Sequence, residues 1–249
     1  MQQTLKTITI GQRKVEYRLR CSKTAQKLRV RIGLDGVEVI QPIGRDAQEL
    51  DAFLETNHDW IINQLERIDQ MRSIRKPSNI KKGEMLFRGT ITPVLVESIA
   101  RRKATNRVIF NNNIITIVRG SISNTPPFTT LENWLRLQAK QAIADHLDTL
   151  TEKLGSYPNK IYIMEQRTKW GNCSALQNLS FNWRLIMAPD FVLHYLVTHE
   201  VVHLEVPDHS KRFWLTVQSL CPKMDRAKQW LSANSEQLKV DVRQLCSSL

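Results

Sequence analysis

Alternating apolar and polar residues fill the first 42 positions of the chain. RKVEYRLR at 13–20 alternates, and KLRVRIGLDGVEVIQ at 27–41 sets Leu28, Val30 and Ile32 between Lys27, Arg29 and Arg31 before Asp35-Gly36 interrupts the run. A period of two broken by a turn signal predicts strands joined by a hairpin, so the region reads as a small antiparallel sheet. The period then changes. Asp46, with Glu49 three residues on, has the form of a helix N-cap, and Leu50, Phe53, Leu54, Ile61, Leu65, Ile68 and Met71 continue at helical spacing in one bent helix or two short ones.

The basic stretch RSIRKPSNIKKGE, with Pro77 and Gly83, reads as a linker or exposed loop. Alternation resumes in MLFRG, TPVLVES, RVIFN and IITIVRG, which predicts further antiparallel strands. From Thr129 to Leu154 the positions Leu131, Trp134, Leu135, Ala139, Ala142, Ile143, Leu147 and Leu150 form a helical stripe that Gly155 stops. Two short strands follow, IYIME and LSFNW, around the turn-like RTKWGNCSALQN. Pro189 then opens a helix expected to reach about Val206. The apolar positions Leu238, Val240, Val242 and Leu245 predict a packed terminal element. The class is α+β: a basic, antiparallel β-rich N-terminal region with helices over 1–125, then a domain over 126–249 with an active-site helix and short edge strands. No internal repeat is visible.

With 249 residues, 41% of them hydrophobic, the chain can bury a sizeable core. It has no apolar run long enough to span a bilayer, and its first residues, MQQTLKTITIGQRK, lack the apolar block of a secretory signal; a cytoplasmic protein without membrane contact is expected. Cys21, Cys173, Cys221 and Cys246 are widely separated, which speaks against a disulfide framework or a thiolate zinc cage. Cys173 alone has two readings, a nucleophile in a Trp-Gly-Asn-Cys-Ser turn or a small buried apolar side chain, and the second is preferred.

Charge adds an asymmetry. Residues 1–120 carry 22 Lys+Arg against 12 Asp+Glu, or +10, whereas residues 121–249 carry 14 against 12, or +2. Arg18, Arg20, Lys23, Lys27, Arg29 and Arg31 would give the first sheet a cationic face. Non-specific contact with a polyanion such as nucleic acid would account for it, and so would a solvated basic surface.

The chemistry concentrates in VTHEVVHLEVPDHSKRFW. His199 and His203 stand four apart, which on a helix puts both imidazoles on one face where they can share a metal. Glu200 occupies the place of a general base beside a metal-activated water. An open tetrahedral zinc site needs a third protein ligand from beyond the helix; Pro207 predicts a break and His209 follows it. Three histidines binding one zinc ion leave a fourth position for water, whose pKa such an ion lowers to about 7. The spacing equals the metzincin signature, but Val206 stands where that signature has glycine.

Together with the upstream block RTKWGNCSALQNLSFNWRLIMAP, these residues resemble the YgjP-like bacterial family of predicted zinc metallopeptidases, and RCSKTAQKLRVRIGLDGVEVIQP and HDWI extend the match toward the N-terminus. The resemblance implies a zincin-like domain related at its active-site helix to SprT-like proteins, which cut proteins crosslinked to DNA. It also implies metal ligands at His199, His203 and His209 and a catalytic carboxylate at Glu200. A nucleotide activity, pyrophosphate release from UTP, has also been attached to the YgjP-like branch. Where the family reads close to KTRWGSCS, this chain has Arg167, Lys169 and Asn172; losing an arginine at Lys169 removes a planar bidentate donor.

Three functions follow. A peptidase would add an extended peptide along LSFNW, taken as an edge strand carrying Asn182, with Arg184 or Arg167 steadying the oxyanion. A UTP pyrophosphatase would neutralise phosphates with Arg167, Lys169, Lys211 and Arg212. A nucleic-acid-binding protein with a structural zinc would leave Glu200 idle.

Overall fold

The computed structural model describes residues 3–10, 13–33, 36–44, 47–74, 80–98, 105–166 and 168–246. Two compact units divide the chain, Met1–Arg75 and Lys76–Leu249. The expected division at 125/126 therefore falls inside the second unit. Its cause is shared burial: Met85, Leu86, Phe87, Ile115 and Ile117 belong to the same core as Leu131, Leu135 and Ala139 of the long helix that follows. Among the described residues no helix is long and apolar enough to cross a membrane.

The first unit contains β1 (Gln3–Ile10), β2 (Arg13–Ser22), β3 (Arg29–Gly33), β4 (Gly36–Pro42), α1 (Ala47–Thr56) and α2 (His58–Ile74). Helical periodicity at 47–74 thus resolves into two helices. The Asp46 cap lies outside the described residues. The strand order is β1-β2-β4-β3, and β4 runs parallel to β2, so the sheet is mixed rather than antiparallel. Burial explains the order. β4 carries Val37, Val39 and Ile40, all buried, and takes the centre, while the charged β3 takes the edge, where solvent keeps Arg29 and Arg31 hydrated. Val15, Tyr17, Leu19, Val37 and Val39 pack with Leu50, Leu54, Ile61 and Leu65. On the opposite face Glu38 forms ion pairs with Arg20 at 3.1 Å and with Arg31 at 3.8 Å, which partly neutralises the cationic surface. Lys23 and Lys27 sit in the β2–β3 connection.

The second unit opens with β5 (Glu84–Phe87), β6 (Thr90–Ser98), β7 (Arg107–Asn111) and β8 (Ile114–Arg119), in the order β5-β6-β8-β7 with β6 parallel to β8. This repeats the order of the first sheet, although no repeat is visible in the sequence. α3 (Pro127–Leu154) follows, begun by a proline where no N–H is required and ended by Gly155 at φ 74°, whose N–H donates to Thr151 O at 2.8 Å.

A third sheet of β9 (Lys160–Met164), β10 (Gly171–Cys173) and β11 (Asn178–Asn182) has the order β10-β11-β9. LSFNW is therefore the central strand, and β10, which the sequence presents as a turn, is an edge. β11 holds the centre because Leu179, Ser180, Phe181 and Asn182 are all buried. A 3-10 turn (Trp183–Met187) leads to α4 (Asp190–Val202), buried at Val192, Leu193, Tyr195, Val197, Val201 and Val202. α5 (Lys211–Leu220), α6 (Met224–Asn234), a second 3-10 turn (Ser235–Leu238) and α7 (Val242–Cys246) complete the chain. Leu238, Val242 and Leu245 are buried in the core, as expected of a packed terminal element.

Candidate metal centre

α4 ends at Val202, five residues before Pro207, because the ladder tightens to Leu204 N–H on Val201 O and Glu205 N–H on Val202 O. His203 thus caps the helix, and Pro207 lies beyond its end rather than breaking it. The following loop is pinned at its far side, where Asp208 accepts Ser210 N–H at 3.0 Å and Ser210 Oγ caps α5 through Phe213 N–H. This brings His209 back to the helix. Its ring centroid lies 5.1 Å from that of His199 and 4.7 Å from that of His203, which are themselves 4.9 Å apart.

One nitrogen from each of the three rings lies within 4.8 Å of the others. Nε2 of His199 and Nε2 of His209 are 3.1 Å apart. Two imidazole nitrogens on one tetrahedral zinc, each about 2.0–2.1 Å from it, stand roughly 3.3 Å apart, so this pair fits such an ion with little movement. His203 Nδ1 lies 3.0 Å from the Val206 carbonyl; donating there leaves Nε2 as the lone-pair donor. Burial, with the neighbouring imidazoles adding to it, pushes His199 down to about 3, and burial lowers His203 as well. Neutral rings are the form a metal needs.

Phe213 forms a floor beneath the cluster. It is fully buried, stacks on His203 at 4.4 Å and meets His199 and His209 edge-on at 4.9 and 4.8 Å. Trp214 approaches His199 and His209 at 5.8 and 5.6 Å. Sequence reasoning missed both; their position four and five residues after His209, on a helix that must return to α4, was the available signal.

Glu200 projects from α4 toward β10 and is 5% exposed. Its carboxylate accepts the Cys173 backbone N–H, yet burial outweighs that bond and the nearby Lys169 cation, and pushes the group up to about 7. Gly171, also missed as a site residue, makes room for it. Glu200 and the three histidines line one cavity of about 470 Å³ with Lys169, Pro207 and residues 171–175. Cys173 faces it as well, but burial and the Glu200 carboxylate raise its thiol, which disfavours a thiolate nucleophile.

The remaining predicted site residues separate. Lys169 lines the cavity and donates to Asn172 Oδ1 at 3.2 Å. Asn182 is buried and ties two backbone segments together, donating to Gln166 O at 2.7 Å and accepting Arg184 N–H at 3.0 Å. Arg184 pairs with Glu165 at 2.7 Å and lies over the Trp183 ring at 4.5 Å. Lys211 and Arg212 are exposed on the first turn of α5 and are not among the residues lining the cavity. Arg167 lies outside the described residues.

The fold is an α+β domain in which three histidines that could hold a metal ion gather beside a buried carboxyl. The model of the YgjP-like metallopeptidase domain matches residues 26–234, and the chain belongs to the YgjP-like family. Comparison with curated proteins and with solved structures gives no match.

Proposed function

We propose that the chain is a zinc-dependent peptidase in which Glu200 takes a proton from the attacking water. The observation that carries this reading is the shared cavity: a buried carboxyl near pKa 7, three imidazoles of which burial holds His199 and His203 neutral, and an edge strand, β10, in one wall. His199, His203 and His209 would hold the ion. When bound, zinc supplies Lewis acidity toward water and toward a carbonyl oxygen.

The protein's own groups do the rest. A carboxyl poised near neutrality can accept a proton from water and return it to a departing amine, which a carboxyl at its ordinary value does poorly. The Cys173 N–H fixes the orientation of that carboxylate. With the Cys173 N–H already donated to Glu200, the remaining backbone groups of the β10 edge would take an extended peptide by strand addition, replacing the role assigned to LSFNW in the sequence. Pyrophosphate release from UTP has weaker support, because of its four candidate cations only Lys169 lines the cavity among the described residues.

Glu200→Gln is expected to keep stoichiometric zinc and lose hydrolysis, whereas His203→Ala loses zinc as well. Metal content measured beside turnover of unfolded casein and of UTP checks both claims. A fully active Glu200→Gln protein overturns the mechanism, and pyrophosphate release without peptide cleavage overturns the substrate.

A further inference from the structure

Next to the metal centre lies a larger cavity, about 640 Å³, and Lys169 lines both. Its cationic lining comes from three separate segments: Lys169 before β10, Arg184 in the 3-10 turn after β11, and Lys239 after the second 3-10 turn. One carboxylate, Glu165, also lines it. Glu165 is already committed, since Arg184 holds it at 2.7 Å and Arg136 at 3.3 Å, and the Arg184 hydrogen bond lowers its pKa. Lys239 meets Glu236 at 2.6 Å, but that ion pair is solvent-exposed. Lys169 is held by a neutral amide oxygen rather than by a carboxylate. The wall therefore carries more positive charge than its own carboxylate balances.

We infer that this cavity is a substrate pocket selective for a carboxylate group on a peptide, seated one step from the bond that the metal centre attacks. The inference rests on the peptidase reading. A peptide running along the β10 edge passes Lys169, and a side chain or chain end turned away from the metal enters the larger cavity. There a carboxylate meets Lys169 and Lys239, while Arg184, braced by Glu165 and Trp183, forms a rigid wall. A lysine or arginine side chain in the same place meets like charge. The carboxylate has two possible sources, an internal Asp or Glu or the C-terminus of the substrate, and the chemistry of recognition is the same for both.

Binding and cleavage test different parts of this. Zinc-loaded Glu200→Gln protein is titrated by calorimetry with three matched peptides: one with an internal Glu and both ends blocked, one with Gln in its place, and a neutral peptide with a free C-terminal carboxylate. Tighter binding of one carboxylate peptide than of the Gln peptide, by about tenfold, is expected and identifies the source. Lys239→Glu and Lys169→Glu, each at an exposed position, should erase that preference and favour a Lys peptide. Equal affinity for all three peptides, or a preference unchanged in both variants, overturns the pocket assignment. Mapping cleavage sites in casein with the wild-type protein then tests the peptidase reading by itself. Carboxylate-selective binding without cleavage leaves the pocket and rejects the reading, whereas cleavage with no acidic residue or chain end at a fixed distance from the cut rejects the pocket.

Discussion

A Cβ placed on Gly171 would lie 2.6 Å from Oε1 of Glu200 and 2.7 Å from its Cγ. Helix and edge strand therefore touch at the proposed catalytic carboxyl with no room for a methyl group. Gly171→Ala should push the Glu200 side chain aside and leave the histidines in place, because the three atoms nearest the added methyl group all belong to Glu200. Zinc content should stay at the wild-type level while kcat/KM for a peptide falls about a hundredfold, the usual cost of misplacing a reacting group by an ångström. A variant with full activity would show that the carboxyl has another place to sit.

Phe213 supports the three proposed metal ligands through packing alone. Phe213→Leu keeps most of the buried volume but removes the ring stacked on His203. A stability loss of about 1 kcal/mol is expected. Zinc affinity should weaken about tenfold, because ligand orientation is set by what surrounds the ligands. Chelator competition beside denaturant unfolding separates the two effects, and unchanged affinity would reduce Phe213 to a core residue.

How much of this could be read from the chain follows from what each pattern encodes. The spacing of His199 and His203 is a local property of one helix, and it predicts that the two rings lie together, which they do at 4.9 Å. Alternation in β1 to β4 recorded which residues are buried but not which strands are neighbours, and the parallel pairing of β2 with β4 comes from the demand to bury Val37 and Val39 centrally. β10 escaped notice because three residues are too few to show a period. Asn182 and Arg184 attracted attention as polar residues near the site, yet their partners are Gln166, Glu165 and Trp183, which lie 16, 19 and one position away in sequence. Only tertiary contact reveals the pairs with Gln166 and Glu165.

Acid should destabilise the second unit through His194. Burial holds this imidazole below its ordinary value of 6.5, with His146 and Lys153 acting in the same direction and the Leu220 carbonyl and Asp190 against it. The folded state thus binds a proton less readily than the unfolded chain. Its stabilising contribution is complete above the unfolded pKa near 6.5 and is lost as pH falls through the depressed folded value. Urea midpoints of metal-free protein should drop between pH 7.5 and pH 5.5. His194→Gln should drop by less over the same interval, and an equal drop in both proteins would place the effect on other groups.

The turn between β5 and β6 supplies the last test, because it braces the helix that carries the site. Arg88 and Gly89 both have positive φ, 49° and 77°, as a two-residue hairpin turn of this hand demands. Their N–H groups donate to Ile186 O and Met187 O, each at 2.8 Å, immediately before α4 begins. A Cβ on Gly89 would come within 2.5 Å of Pro189 Cγ and 3.0 Å of its Cα, so a methyl group would meet the residue that starts α4. Gly89→Ala combines a left-handed backbone with that clash, and a loss of about 3 kcal/mol is expected. For a unit of this size that lowers Tm by roughly 10 °C. His199 and His203 lie about three and about four turns from the clash, so the folded variant should still take up one zinc per chain. Loss of zinc at temperatures where circular dichroism reports a folded protein would mean that the hairpin positions the ligands as well as stabilising their helix.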